Sequence, residues 1–94
     1  MAAIEYDPVK DDENRRKHGL PLALAQLLFH GPFVEEVDDR YPYGETRIVA
    51  IGPIAAAGDR IFVVVYTWRD NIRRIINVRK ANDREVRKYR SGIA

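Results

Sequence analysis

Arginine and lysine side chains are concentrated in the last third of this 94-residue chain, where they could bind anionic groups. Residues 69–90 carry nine Lys or Arg against three acids, whereas residues 1–46 carry five against ten. The formal net charge of +2 therefore hides a strongly polarised molecule. Because a positive surface attracts phosphate groups, we expect the C-terminal segment to face a phosphate-bearing ligand.

Within that segment, residues 72–79 alternate between apolar and polar types as a β-strand does. Regular alternation would place Arg74 and Arg79 on opposite faces, each beside aliphatic residues. Because a partly buried guanidinium needs an acceptor, such an arginine often belongs to a functional site. A helix follows, and its start resembles a capping box formed by Asn82 and Glu85. The basic segment is therefore a strand followed by a capped helix.

Eight segments have the patterns of regular secondary structure. Strand patterns occupy residues 4–6, 33–37, 46–54, 61–67 and 72–79. Helix patterns occupy residues 8–18, 22–29 and 83–91. We predict an α+β fold of order β-α-α-β-β-β-α, a small, mainly antiparallel sheet with helices packed on one side. Residues 61–67 are apolar on both faces and should form the central strand.

The first two helices have opposite characters. The helix 8–18 begins after the N-cap Asp7, ends at Gly19 and is almost wholly polar. Such a helix either packs through few contacts or presents groups for binding. The helix 22–29 has one polar residue, Gln26, and should be the central core helix.

Composition restricts the class of protein. The length predicts one small domain over residues 1–94, and the absence of cysteine excludes disulfides and cysteine-based zinc sites. The two histidines lie twelve residues apart without a cluster of further ligands, so we predict neither a metal nor a cofactor. The start of the chain lacks a signal-peptide pattern, and the longest apolar run is far below the about 18 residues that span a bilayer. We therefore expect a soluble cytoplasmic protein.

Four blocks of residues are weak signals singly and fairly specific in their order and spacing. They are Asn14-x-x-Lys17-His18-Gly19, Asp38-Asp39-Arg40-x-Pro42-Tyr43-Gly44-Glu45-x-Arg47, Val64-Val65-Tyr66-Thr67, and Arg74-Ile75-Ile76-x-x-Arg79-Lys80-Ala81 with Glu85 and Tyr89. In this arrangement the chain closely resembles the BrnT toxin family, over about residues 4–90.

The resemblance implies both a fold and a biological role. It implies a compact RelE-like fold and a ribonuclease activity that blocks translation. The partner it implies is an antitoxin, BrnA, with a ribbon-helix-helix DNA-binding region. That antitoxin would neutralise the toxin in a complex, which could be a heterotetramer, and the complex would repress its own operon.

The chain departs from the family pattern at three places. Many members carry Ser where this chain has Asn77, and the turn near Trp68 is often acidic. Leu20-Pro21 replaces a more usual hydroxyl-bearing helix start. These differences leave the expected fold intact. They keep open a second class of function, a non-catalytic basic module that binds nucleic acid or an acidic partner protein.

Metal-free RNA cleavage needs a base for the 2′-hydroxyl proton, positive charge on the phosphate and an acid for the leaving 5′-oxygen. Arginine suits the phosphate because its planar fork binds two oxygens and stays charged, and histidine titrates nearest neutral pH. The catalytic candidates are Arg79, Arg74, Glu85, His18 and Tyr89. The candidate RNA-binding residues are Arg47, Lys80, Asn77, Arg73, Trp68 and Lys17, of which Lys80 is also an acid/base candidate.

Each candidate also has a purely structural interpretation. The arginines could form salt bridges, which are weak at a surface, with Asp38, Asp39 or Glu45. His18 could interact with the C-terminus of its helix, and Glu85 could do no more than close the capping box. Tyr89 could dock the last helix on the sheet. Trp68 could stack on bases or anchor a protein partner.

Overall fold

Five β-strands form one sheet in the computed structural model of the chain, which describes residues 2–40 and 42–93 and only the backbone of Ile93. The strands are β1 (Ile4–Glu5), β2 (Val34–Asp38), β3 (Arg47–Ile54), β4 (Arg60–Arg69) and β5 (Ile72–Lys80). Their spatial order is β1-β5-β4-β3-β2, so β4 is central, as predicted. β1 runs parallel to β5 and the other pairs are antiparallel, which makes the sheet mixed.

Three α-helices complete the fold: α1 (Pro8–His18), α2 (Ala25–His30) and α3 (Asp83–Ile93). Short 3₁₀ turns precede α2 and β4 at Leu22–Leu24 and Ala55–Ala57. The α+β class is confirmed, but the predicted order is one strand short, because all five strand-like segments form strands. The observed order is β-α-α-β-β-β-β-α. No helix in the described part of the chain combines the length and apolar character needed to cross a membrane.

Helices lie on both faces of the sheet, which corrects the prediction that they lie on one side. The first face carries Val64 and is covered by the buried side chains of the predicted core helix, Leu22, Ala25, Leu28 and Phe29. The second face carries Val63 and its neighbour Ile51. There Gly92 of α3 lies so close to Val34 that an added Cβ would meet that side chain at 2.9 Å. Because the central strands are apolar on both faces, each face needs a helix.

One buried amide fixes α1 at the edge of the sheet. β1 pairs with β5 only at Arg73 and Arg74, so the rest of that edge has no strand neighbour. Asn14 of α1 accepts a hydrogen bond from the Val78 N–H at 3.2 Å and donates one to the Val78 carbonyl at 2.8 Å. Its Nδ2 also donates to the Leu20 carbonyl at 2.8 Å. Asn14 therefore satisfies backbone groups that a further strand would otherwise pair with.

Both ends of α1 lie where the sequence predicts them. The Asp7 carboxylate accepts a hydrogen bond from the Val9 N–H at 2.8 Å and caps the first turn. Gly19 ends the helix with φ of 71°, in the left-handed region that glycine adopts without strain. These two caps place His18 at the last helical position, next to β5.

A β-bulge in β5 changes which arginines share a face. The register pairs Val63 with Arg79 and Val65 with Asn77, but then shifts by one residue, so that Thr67 pairs with Arg74. Alternate residues of β4 share a face, and therefore Arg74, Asn77 and Arg79 all lie on the second face. The prediction that Arg74 and Arg79 lie on opposite faces is wrong because it assumed a regular strand.

The hairpin between β4 and β5 is tighter than the predicted turn at residues 68–71. β4 continues to Arg69, and the two connecting residues, Asp70 and Asn71, have φ of 51° and 66°. Two positive φ values in a two-residue loop are typical of a type I′ turn, whose twist matches that of the strands. Trp68 is consequently a strand residue whose side chain is 45% exposed.

Replacing Asn14 with alanine should destabilise the protein by about 2–4 kcal/mol, because the Val78 N–H and carbonyl lose their partners. Urea unfolding would show this as a lower midpoint with an unchanged slope. Arg16→Ala, an exposed change on the same helix, should stay within about 0.5 kcal/mol. Equal stability of the two variants would contradict the role given to Asn14.

Candidate active site

A cleft opens on the second face of the sheet, beside α1 and the segment that joins β2 to β3. Its volume is about 500 Å³, within the range of sites that bind small ligands. We name it the α1 cleft. Its lining residues are Lys10, Glu13, Asn14, Lys17, His18, Asp38, Arg40, Tyr43, Arg47, Val65, Ile76, Asn77 and Arg79.

The α1 cleft is positively charged, although most of its cations lie outside the basic C-terminal segment. Five Lys or Arg side chains line it against two carboxylates. Of the nine cations in residues 69–90, only Arg79 is among them. The others come from α1 and from the segment around the start of β3. The cleft should therefore attract phosphate groups. The sequence prediction assigned this role to the C-terminal segment, which supplies only Arg79 here.

A bidentate ion pair holds Arg79 at one wall of the cleft. Its two terminal nitrogens donate to the Glu85 carboxylate at 2.7 and 2.8 Å. Glu85 also accepts from the Asn82 N–H at 3.0 Å, while the Glu85 N–H donates to the Asn82 side chain at 2.9 Å, so the predicted capping box is present. The hydrogen bonds from Arg79 are the main cause that lowers the pKa of Glu85. Glu85 is therefore ionised at neutral pH, and it orients the guanidinium.

His18 and Asn77 meet inside the α1 cleft. Asn77 Nδ2 lies 3.4 Å from His18 Nε2, a contact in which the amide donates when the ring carries its proton on Nδ1. Burial is the main cause that lowers the pKa of His18, and the nearby charges of Lys17 and Arg79 add to it. His18 is therefore mostly neutral at pH 7 and able to accept a proton.

Two buried polar atoms in the α1 cleft have no hydrogen-bond partner within the described residues. They are Asn77 Oδ1 and Arg47 Nε. The Arg47 guanidinium lies 3.8 Å from the centre of the Tyr43 ring, which holds it by a cation–π contact. Buried polar atoms are normally satisfied, and those that are not often mark a functional site.

Another part of the cleft lining is built around Asp38, which is only 8% exposed. Arg40 donates to both of its oxygens, at 2.9 and 3.1 Å, and the Tyr43 hydroxyl donates at 3.2 Å. The hydrogen bond from Arg40 is the main cause that lowers the pKa of Asp38 to about 2. Sequence reasoning missed Arg40 as a lining residue, although it belongs to one of the family-like blocks.

A second cleft adjoins the α1 cleft at Arg79 and lies at the start of α3. Its volume is about 420 Å³, and we name it the α3 cleft. Arg79, Asp38 and Arg40 line both clefts, so the two are neighbours that share a wall. Glu85 lines the α3 cleft but not the α1 cleft.

The structure brings together about half of the residues that the sequence singled out. The α1 cleft contains Arg79, His18, Arg47, Asn77 and Lys17. Arg74 shares their face but lines neither cleft, and it lies 3.7 Å from Glu5 in an ion pair. The half-buried Tyr89 of α3 lines neither cleft. Lys80 lines neither cleft either, and its ladder partner Phe62 belongs to the first face.

Arg73 and Trp68 lie on the first face, away from both clefts. They are ladder partners, and the Arg73 guanidinium lies 4.8 Å from the centre of the Trp68 ring. It lies 4.0 Å from the Phe29 ring and 5.3 Å from the Tyr66 ring. Tyr66 in turn donates to Glu35 at 2.6 Å. Arg73 is therefore packed among aromatic rings, which accounts for its partial burial in an apolar strand.

The fold and the α1 cleft define a small α+β protein suited to a phosphate-bearing ligand. Over residues 6–85, the sequence matches the family described as "Ribonuclease toxin, BrnT, of type II toxin-antitoxin system". The chain belongs to this BrnT family, which confirms the resemblance that its motifs indicated.

A solved structure supports the same assignment at the level of the fold. The crystal structure of the ribonuclease toxin BrnT from Brucella abortus aligns with 88% of this chain and 100% of its own, with a TM-score of 0.62 and 23% sequence identity. At this identity the comparison establishes a common fold. No curated protein matches the sequence.

Asp38 should make the stability of the protein depend on acid pH. Because folding lowers its pKa from 3.8 to about 2, its contribution is complete above pH 3.8 and is lost as the pH falls towards 2. Asp38→Asn should therefore be less stable at pH 6, and its stability should fall less steeply between about pH 4 and 2. Unfolding midpoints measured against pH would test this. Asp59→Asn, an exposed control, should keep the wild-type slope, and a wild-type slope in Asp38→Asn would refute the assignment.

Proposed function

We propose that this protein is an endoribonuclease toxin that cuts RNA in the α1 cleft without a metal ion and thereby blocks translation in the cytoplasm. The observation that carries the proposal is an oriented arginine beside a neutral histidine in a positively charged cleft. Membership of the BrnT family supports ribonuclease activity and an antitoxin partner.

His18 is the proposed general base of the first step. Its Nε2 takes the proton of a ribose 2′-hydroxyl, and the 2′-oxygen attacks the neighbouring phosphorus. The bond from phosphorus to the 5′-oxygen breaks, which leaves a 2′,3′-cyclic phosphate on one product. The leaving 5′-oxygen takes a proton from an ammonium group such as that of Lys17, which lines the same cleft. Asn77 Nδ2, 3.4 Å from Nε2, would favour the tautomer that carries its proton on Nδ1, and the 2′-hydroxyl would replace Asn77 as the donor to Nε2.

Arg79 is the proposed ligand of the phosphate in the transition state. A guanidinium has five N–H donors, and Glu85 uses two of them, so up to three remain for phosphate oxygens. Such donors stabilise the charge that develops on the phosphate, because they are already oriented before the reaction. We assign Glu85 to positioning Arg79, since both of its oxygens accept from that guanidinium and Glu85 does not line the α1 cleft. Arg47, with an unpartnered buried Nε, is the second phosphate ligand that we propose.

The proposed partner is a BrnA-like antitoxin with a ribbon-helix-helix region, which neutralises the toxin in a heterotetramer. The support is the family, whose members are toxins of type II toxin–antitoxin systems. To neutralise the toxin, the antitoxin must either cover the α1 cleft, where we place the RNA, or change its shape from another surface.

A non-catalytic RNA-binding module is the second candidate function. The observation that favours it is the ion pair between Arg79 and Glu85, which already compensates the charge of the arginine that we place on the phosphate. Such a module would bind RNA with an affinity that falls steeply with salt, and it would leave the RNA intact.

The purified toxin, free of antitoxin, should cut RNA in the presence of EDTA. Arg79→Ala should lose at least about tenfold in cleavage rate, because a preorganised transition-state donor is removed. Arg87→Ala, on the exposed side of α3, should change the rate by less than about twofold. Gel analysis of end-labelled RNA would measure the rates, and circular dichroism would confirm folding. Intact RNA with the wild type would favour the non-catalytic module.

The pH dependence of cleavage should identify His18 as the base. A general base must be neutral, so the rate should fall as the pH drops through the pKa of His18, which lies below the ordinary value of 6.5. His18→Gln should cut more slowly and should lack this acidic limb. A variant that kept the limb at the wild-type midpoint would assign it to another group. The measurement is kcat/KM between about pH 5 and 8.

A further inference from the structure

The α1 and α3 clefts meet at the arginine that we place on the phosphate. Arg79 lines both of them, and their volumes are about 500 and 420 Å³. A phosphodiester joins two nucleosides, so an enzyme that cuts one can bind a nucleoside on either side of the phosphate. The position of Arg79 between two clefts has this geometry.

The charges that line the α3 cleft pair off almost completely. Four carboxylates face four Lys or Arg side chains. Six of these eight groups form three ion pairs: Arg79 with Glu85, Arg40 with Asp38, and Lys88 with Glu36. The two that remain are Asp39 and Arg84, neither of which forms an ion pair with a described residue.

One unpaired carboxylate and one unpaired guanidinium select a particular kind of ligand. A bare phosphate would be attracted by Arg84 but repelled by Asp39. A nucleobase carries donors and acceptors together on its edges, so its donors suit the carboxylate and its acceptors suit the guanidinium. The α3 cleft therefore fits a base better than a second phosphate.

We propose that the α3 cleft binds the nucleoside on the 3′ side of the cleaved phosphate, with Arg84 and Asp39 in contact with its base. The 5′-to-3′ direction of the bound RNA across Arg79 follows from His18, which lies in the α1 cleft. The nucleoside whose 2′-hydroxyl gives up its proton must lie beside His18, so the leaving nucleoside lies across Arg79. This inference rests on the proposed function for its direction.

Two isomeric mononucleotides test the proposal without any cleavage. Guanosine 5′-monophosphate and guanosine 3′-monophosphate have the same base and charge, and they differ in the side of the phosphate on which the nucleoside lies. With the phosphate at Arg79, the 5′-isomer should occupy the α3 cleft and the 3′-isomer the α1 cleft. Arg84→Ala and Asp39→Ala should each weaken the 5′-isomer about three- to tenfold and change the 3′-isomer by less than about twofold. Calorimetry or NMR titration would measure the affinities.

Arg87→Ala is the matched control, because Arg87 is an exposed arginine of α3 that lines neither cleft. It should change neither affinity by more than about twofold. Equal weakening of both isomers by Arg84→Ala would overturn the proposal, since it would show general attraction of anions. Tighter binding of the 5′-isomer by Asp39→Ala would overturn it too, because the carboxylate would then only repel.

A cleavage assay on the same variants separates this inference from the proposed function. If the wild type leaves RNA intact while the two variants show the selective loss of affinity, the base site is supported and the ribonuclease activity is refuted. If the wild type cuts RNA while the two variants show no selective loss of affinity, the ribonuclease activity is supported and the base site is refuted. Both substitutions are at exposed positions, so the variants should fold.

Discussion

The buried amide of Asn14 is the interaction on which the arrangement of the α1 cleft depends. Helix α1 is almost wholly polar, and Asn14 is its one buried residue, so apolar packing does little to hold it in place. The two hydrogen bonds to Val78 fix both its distance from β5 and its rotation. They leave Lys17 and His18 at the end of the helix facing the sheet, where His18 reaches Asn77. A residue that completes a sheet edge thus also positions the proposed base.

The bulge in β5 resolves a conflict that regular alternation would impose. A regular strand with Val78 towards the core would also point Ile76 there and would turn Ile75 away. The extra residue lets Ile75 and Val78 both lie buried on the first face, while Asn77 and Arg79 line the α1 cleft. One irregular residue therefore allows a single strand to serve the core on one face and the site on the other.

Local sequence patterns predicted the elements well because their causes are local. Asp7 and Gly19 bound α1, and the capping box of Asn82 and Glu85 opens α3, through contacts within a few residues. The site was only partly predictable, because its pairings join residues distant in sequence. Nothing near Arg73 indicates that it will pack among aromatic rings, and charge counting gave it the same weight as Arg79. The bulge, which decides the face of Arg74, also depends on pairing with β4.

The ion pair between Arg79 and Glu85 divides two tasks between different residues of the α1 cleft. A guanidinium bound to a carboxylate attracts a distant phosphate weakly, because the pair is nearly neutral at long range. Attraction must then come from Lys10, Lys17 and Arg47, because Arg40 is itself paired with Asp38. At short range the same carboxylate fixes the direction of the remaining N–H groups, and orientation matters most where the phosphate changes its charge. Glu85 thus weakens the long-range attraction that Arg79 exerts, and it fixes the orientation of the guanidinium, which an unpaired arginine on a strand would lack.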